Sequence, residues 1–197
     1  MDVAFLEHYQ ELVNGNLLMK KLPFLKLVIF DVDGVLTDGG LYYGADGEAV
    51  KRFNVKDGVA LKLLPKWGVD VAVITAKDSA PLHKRMDDLG IKHFYYGCHD
   101  KAAAFDELMQ TLKLEPEQVA YVGDDVIDLQ VMPKVGISLC PADAHTLLQR
   151  HCDIILKRSA GQGVAREVAD LVLATRMSLE SAYELAKRPE FEKKDSL

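Results

Sequence analysis

The sequence predicts an α/β fold, a doubly wound, Rossmann-like parallel sheet with helices on both faces and a β-hairpin flap after the first strand. Three observations lead there. Short apolar runs rich in β-branched residues alternate along the chain with amphipathic stretches. Each run is too short to be a buried helix, and strand–helix alternation is the signature of parallel strands joined by crossover helices. The 197 residues, 49% of them hydrophobic, suffice for one domain with a core of its own.

The strands are expected at residues 27–30 (LVIF), 69–74 (VDVAVI), 119–122 (VAYV), 135–139 (VGISL) and 153–156 (DIIL), with a short strand in HFYY at 93–96. Helical patterns fall at 57–66, 79–89, 100–112, 126–132, 144–150 and 163–174. Segment 41–53 (LYYGADGEAVKRF) alternates around a turn at Ala45-Asp46-Gly47 and reads as a hairpin. Because it directly follows the first strand, it is placed to project over a site at that strand's end. Helical extensions are expected at 2–14 and 177–187, and a polar, mobile tail from 189 to 197. The domain is taken as 1–197, with its core at about 26–174.

Composition narrows the function. A net charge of -6 argues against nucleic-acid binding, which needs a basic face. Three cysteines, Cys98, Cys140 and Cys152, without paired spacing form neither a disulfide framework nor a zinc motif and read as reduced thiols. The acidic residues of the first segment make it a poor signal peptide. No run approaches the roughly 18 apolar residues a membrane span requires, so a cytoplasmic protein is expected.

Two motifs carry chemistry. DVDGVLTDG, Asp31 to Gly39, follows the first strand, and residues two apart at a strand end point into one crevice. A carboxylate attacking phosphorus forms an acyl phosphate that water then hydrolyses. The chemistry needs a second acid to protonate the leaving alkoxide and activate the water. Asp31 is the candidate nucleophile and Asp33 the general acid/base, with Gly34 turning the chain off the strand. VGDDVIDL, Val122 to Leu129, gathers Asp124, Asp125 and Asp128 at a second strand end. Crowded acids repel unless a cation joins them, and a few hard oxygen ligands suit magnesium. Thr75 ends the 69–74 strand, where its hydroxyl is placed for a phosphate oxygen. Lys101 opens a helix, where its ammonium is placed to neutralise a transferring phosphoryl group.

This order, DxDG(V)LTDG, a strand-end Thr, a Lys and GDDxxD, resembles the haloacid dehalogenase superfamily of phosphotransferases from Lys26 to Ala174. The resemblance implies magnesium on Asp31, the main-chain carbonyl of Asp33, and Asp124. It implies phosphate on Thr75 and Lys101, with Asp125 and Asp128 as supporting carboxylates. The intervals between Asp33 and Thr75 and between Thr75 and Lys101 are filled by the predicted elements, so no cap domain fits. Finer resemblance, in FNVKDG (53–58), DLGIKHFYYG (88–97) and AGQGVAREV (160–168), is to the 3-deoxy-D-manno-octulosonate 8-phosphate phosphatase family. That family implies a small phosphorylated sugar acid as substrate and substrate-binding roles for Thr37, Lys77, Asp57 and Gly58. It also implies a homotetramer whose hairpins pack together and whose subunits complete each other's sites.

The chain departs from that family's pattern at Ala76-Lys77, where Gly-Arg is common, and at Ala160, where a glycine is common. Lysine keeps the charge but loses the bidentate fork of arginine. Arg166 reads equally as a substrate or interface residue and as a surface arginine. Three rival functions stand beside the octulosonate. These are a nonulosonate 9-phosphate phosphatase, a nucleic-acid-end or protein phosphatase, and a non-catalytic oligomerisation module, which would be expected to lack Asp31, Asp33 or Lys101.

Overall fold

The structure, a computed structural model, describes residues 1–9 and 20–192. Among the described residues eight strands carry the frame: β1 Leu27–Phe30, β2 Tyr42–Gly44, β3 Gly47–Val50, β4 Asp70–Ile74, β5 His93–Tyr95, β6 Val119–Val122, β7 Ile137–Cys140 and β8 Ile154–Ile155. Six of them form one sheet in the order β5-β4-β1-β6-β7-β8, and every pairing is parallel. β2 and β3 form a separate antiparallel hairpin around Ala45-Asp46, at the expected turn. The helices are α1 Val3–Leu6, α2 Val55–Lys66, α3 Ala80–Leu89, α4 Lys101–Leu112, α5 Thr146–Gln149, α6 Val164–Ala174 and α7 Leu179–Tyr183.

The central strands β1 and β6 are buried along their whole length, because their residues are apolar but for the Tyr121 hydroxyl. In β1, Val28 and Phe30 face one cluster while Leu27 and Ile29 face the other, as the two-residue period of a strand requires. The first cluster takes Leu61 and Leu64 of α2, Leu82 and Met86 of α3, and Val168 and Val172 of α6. The second takes Ala104, Phe105 and Leu108 of α4 and Leu148 of α5. Among the described residues no helix is long and apolar enough to cross a membrane.

Most helix ends obey local chemistry. Asn54 and Asp100 accept amides of Lys56 and Ala103 at the starts of α2 and α4, and Gly90 closes α3 at φ 68°. α6 begins at Gly163, which has no side chain to cap with. Asp57, on the neighbouring α2, supplies the missing acceptor: its Oδ1 takes the Arg166 amide at 2.9 Å.

Several expectations need correction. Segment 126–132 is not an α-helix but two 3₁₀ turns, Val126–Gln130 and Met132–Lys134. Pro133 cannot continue a helical ladder, and the Asp128 carboxylate turns back onto the amides of Asp124 and Asp125. Segment 144–150 keeps only the single turn of α5. At the N-terminus, α1 gives way to a 3₁₀ turn at Glu7–Tyr9, and residues 10–14 lie outside the described residues. The C-terminal helix breaks after α7 into 3₁₀ turns at Leu185–Lys187 and Pro189–Glu192. Of the tail expected from 189, Phe191 packs against the first cluster, and residues 193–197 lie outside the described residues. Asp2 joins the two extensions, its Oδ1 accepting the Phe5 amide and its Oδ2 the Leu179 amide.

Burial pushes the Asp57 carboxyl up to about 6, against the lowering pull of the Arg166 and Ala165 amides. Between its ordinary 3.8 and about 6 the folded chain therefore holds a proton that the unfolded chain has lost, so this group's contribution to stability falls as pH rises through that window. Asp57→Asn keeps an acceptor for the helix end and removes the titration. Urea unfolding across the window should show the variant gaining on the wild type with rising pH, by a total on the order of 3 kcal/mol.

Candidate active site

Three adjacent strands deliver the site. In the order β4-β1-β6, each ends in a polar residue: Thr75 after β4, Asp31 after β1, and Asp124 one residue beyond Gly123 after β6. Lys101 opens α4, which follows β5 at the sheet edge. The expected quartet thus meets at the carboxyl ends of the strands, where open parallel sheets bind ligands. Asp31, Asp124 and Asp128 each place a carboxylate oxygen within 4.8 Å of the others.

Two glycines permit the approach. Gly34 has φ 85°, and a Cβ there would stand 1.9 Å from Asp124 Oδ2. A Cβ on Gly123 would stand 2.4 Å from the Asp128 carboxyl carbon. The absent side chain of Gly34 lets the two acidic loops close on each other, and that of Gly123 lets Asp128 fold back on its own loop.

A buried cation organises the floor. Lys101 is 1% exposed, and its Nζ lies 2.9 Å from Asp31 Oδ2 and 2.7 Å from Asp128 Oδ1. Burial pulls the ammonium towards neutrality, but Asp31 and Asp128 more than offset this and hold it charged. Asp128 is saturated: its Oδ1 also accepts the Tyr121 hydroxyl at 2.7 Å, and its Oδ2 accepts the amides of Asp124 and Asp125. Gln130 accepts the Lys101 amide at 2.9 Å. Asp31, whose Oδ1 takes the Val32 amide at 2.7 Å, is driven up to about 7 by burial, against Lys101 and with Asp128. Asp124 rises to about 8, through burial and then the charges of Asp31 and Asp128. Both shifts reflect burial first, and then negative charge packed beyond what one ammonium neutralises.

Asp33 sits at the rim with the hairpin. Its Oδ1 accepts from Lys51 Nζ at 2.5 Å and lies 3.2 Å from the Thr37 hydroxyl. Its Oδ2 is buried with no hydrogen-bond partner. Lys51, whose side chain is fully covered, also lies 2.9 Å from Glu48. Sequence reasoning missed Lys51 and Glu48, because in the sequence they look like the polar residues of an exposed hairpin. It also missed Tyr121, whose signal was present, since a hydroxyl in a strand buried on both faces needs a partner. Gly161 was noticed only as part of a motif. Its Cβ would stand 2.6 Å from the Asp38 amide, so the 160–163 loop lies directly against the loop that carries Asp31 and Asp33.

Other expected site residues go elsewhere. Thr37 is 1% exposed, and its hydroxyl is turned towards Asp33. Asp57 is 3% exposed and occupied with the start of α6; Gly58 is buried beneath Arg85. The second Asp57 oxygen, Oδ2, is buried without a hydrogen-bond partner. Asp125 is exposed and turns to the Val126 amide, outside the three-acid cluster. Arg166 stacks on Tyr183, 5.0 Å from the ring centre. Lys77 remains exposed just past Thr75, whose hydroxyl accepts its amide at 3.3 Å.

Residues 93–168 match the model of the haloacid dehalogenase-like hydrolases. The chain is 46% identical over 162 residues to 3-deoxy-D-manno-octulosonate 8-phosphate phosphatase KdsC of Yersinia pestis, covering 82% of this chain and 87% of that one. The crystal structure of the phosphatase from Yersinia pestis superposes with a TM-score of 0.81 at 44% identity, covering 84% of this chain and 89% of that one. That of the Moraxella catarrhalis phosphatase, solved with magnesium, phosphate and KDO, gives a TM-score of 0.76 at 34% identity over 80% and 90% of the two chains. The chain belongs to this phosphatase family of haloacid dehalogenase-like hydrolases.

Replacing Lys101 by Met strips the counter-charge from two buried carboxylates. In metal-free buffer, chemical denaturation should show a loss of about 3–5 kcal/mol. A loss within a few tenths of the wild-type value would mean that the ammonium is not what holds Asp31 and Asp128 together.

Proposed function

We propose, on the premise of that family membership, that the chain hydrolyses 3-deoxy-D-manno-octulosonate 8-phosphate. The products are inorganic phosphate and the free sugar acid, a lipopolysaccharide precursor made in the cytoplasm. The observation that carries this reading is the buried Asp31 held by Lys101 beside Asp124, in a chain 46% identical to a KdsC over 82% of its length.

The residues suit a magnesium ion. Asp31 and Asp124 are pushed up towards neutrality by burial and mutual repulsion, while Asp128 is fully used by Lys101, Tyr121 and two amides. Asp31, Asp124 and the Asp33 carbonyl would hold the ion, with Asp128 supporting Lys101. When bound, magnesium supplies positive charge to the carboxylates and to the phosphate oxygens. The protein's own groups do the rest. Asp31 attacks phosphorus as the ester P–O bond breaks, and Asp33 gives the leaving alkoxide its proton. Asp33 then takes a proton from water, which attacks the aspartyl phosphate and frees phosphate and Asp31. An ammonium has three donors; Lys101 spends two on Asp31 and Asp128 and keeps the third for a phosphoryl oxygen, beside the Thr75 hydroxyl.

At the mouth, the exposed Lys77 is the candidate contact for the substrate carboxylate. A nonulosonate 9-phosphate shares that acid head and is the second reading, since Lys77 would meet either carboxylate alike. The hairpin supports a homotetramer. Leu41, Tyr42, Tyr43 and Val50 are 51%, 46%, 66% and 54% exposed on a two-stranded unit, and such hairpins are marginal alone. Packed against other copies, it would close an otherwise open site.

Phosphate release with magnesium should be much faster from the octulosonate ester than from a nonulosonate 9-phosphate or hexose phosphates; the reverse preference would keep the chemistry and discard the substrate. Asp31→Asn should abolish turnover and Asp33→Asn nearly so, both remaining folded, and a chelator should remove activity that magnesium restores. Tyr43→Glu should shift the mass measured by light scattering below that of a tetramer. An unchanged mass would detach the hairpin from assembly.

A further inference from the structure

Lys51 is the one buried cation at the site, among the described residues, that neither the strand-end motifs nor the proposed chemistry has used. It follows β3, so it belongs to the hairpin. Yet its side chain is fully covered, and its ammonium lies 2.5 Å from Asp33 Oδ1 and 2.9 Å from Glu48 Oε1. Long, flexible ammonium side chains are seldom buried, and they stay charged there only when paired. Here burial pulls the group down, and Asp33 and Glu48 raise it above its ordinary value. The two Asp33 oxygens are treated differently. Oδ1 has the ammonium and, at 3.2 Å, the Thr37 hydroxyl; Oδ2 is buried and has no partner.

We infer that Lys51 is a positioning residue for the acid/base step: it pins Asp33 through Oδ1, so that Oδ2 alone faces the leaving oxygen and carries the proton to it. The inference rests on the phosphatase reading. As the Asp31–phosphorus bond forms and the ester bond breaks, the electron pair of that bond goes to the alkoxide and the proton on Asp33 Oδ2 goes with it. Without the ammonium, the side chain is free to rotate and both oxygens compete for the same neighbours. Since Lys51 and Glu48 come from the hairpin, the flap then sets the geometry of the acid as well as covering the site. An alkyl phosphate needs that proton, because its alkoxide is a poor leaving group. An aryl phosphate with an acidic phenol does not.

The test compares the magnesium-loaded wild type and Lys51→Met in two single-turnover reactions: alcohol release from the octulosonate 8-phosphate, and phenolate release from p-nitrophenyl phosphate. Only the first bond cleavage is read, so the shared hydrolysis of the aspartyl phosphate does not intervene. The expected result is a loss of about 10²–10³-fold on the alkyl ester against less than about tenfold on the aryl ester, with Lys51→Arg between the two proteins. Equal losses on both esters, or an undiminished rate on the alkyl ester, overturn the inference. If Lys51→Met does not fold, the same comparison made with Lys51→Arg decides it, a selective alkyl loss supporting it and an equal loss or none refuting it. A wild type inactive on both esters removes the phosphatase reading itself, an outcome distinct from any of these.

Discussion

A buried ammonium between two carboxylates is the constraint on which this site depends. Lys101 is 1% exposed and touches Asp31 from one strand end and Asp128 from the loop after another. A lysine in that position is stable only if its partners are fixed, and the partners are stable only if the lysine stays. The rest of the floor follows from that mutual need. Tyr121 reaches up from the middle of β6 to the same Asp128 oxygen, and the amides of Asp124 and Asp125 take the other. The turn after β6 is consequently 3₁₀ and not α-helical, because its carboxylate is committed to the loop behind it. Asp124 is then left with its carboxylate facing Asp31, in a charge imbalance that a divalent cation relieves.

Close backbone approach is the second requirement. Gly34 lets the two acidic loops meet, Gly123 lets Asp128 fold back on its own loop, and Gly161 lets a third loop lie against Thr37 and Asp38. Gly161 also donates its amide to the Val35 carbonyl at 3.0 Å, while its carbonyl accepts from Asn54. The loop before α6, the loop after β1 and the start of α2 are therefore one packed unit. Asp57 extends it by capping α6 from α2. Asn54 and Gly161, from the motifs 53–58 and 160–168, belong to the scaffold against which the Asp31–Asp33 loop packs.

The hairpin has two faces with different obligations. Its outward side chains are apolar and exposed, which suits contact with other copies of the chain. Its inward side sends Lys51 and Glu48 onto Asp33. An element that looks like a loose flap is thus fastened to the reactive loop by charge, and the isolated bridge between Thr37 and Phe53 marks the point where its returning strand closes on that loop.

Much of this was legible along the chain. β1 and β6 stand where four-residue apolar runs place them, and the DVDG and GDD motifs follow them because a parallel sheet must expose its strand ends. Hydrophobic period and turn chemistry are local properties, so residue order alone determined the fold class and the hairpin turn, and it placed Asp31, Thr75 and Asp124 at strand ends and Lys101 at the start of α4. Which polar residues serve the site and which serve the scaffold was not local. Thr37, Asp57 and Gly58 sit in motifs beside reactive residues yet turn to Asp33, to α6 and to Arg85. Lys51 sits in a stretch that reads as solvent-exposed and proves fully covered. Only the tertiary structure decides such cases, because a side chain's role depends on what distant segments pack against it, and no spacing rule reaches across the 18 residues between Asp33 and Lys51 or the 109 between Asp57 and Arg166.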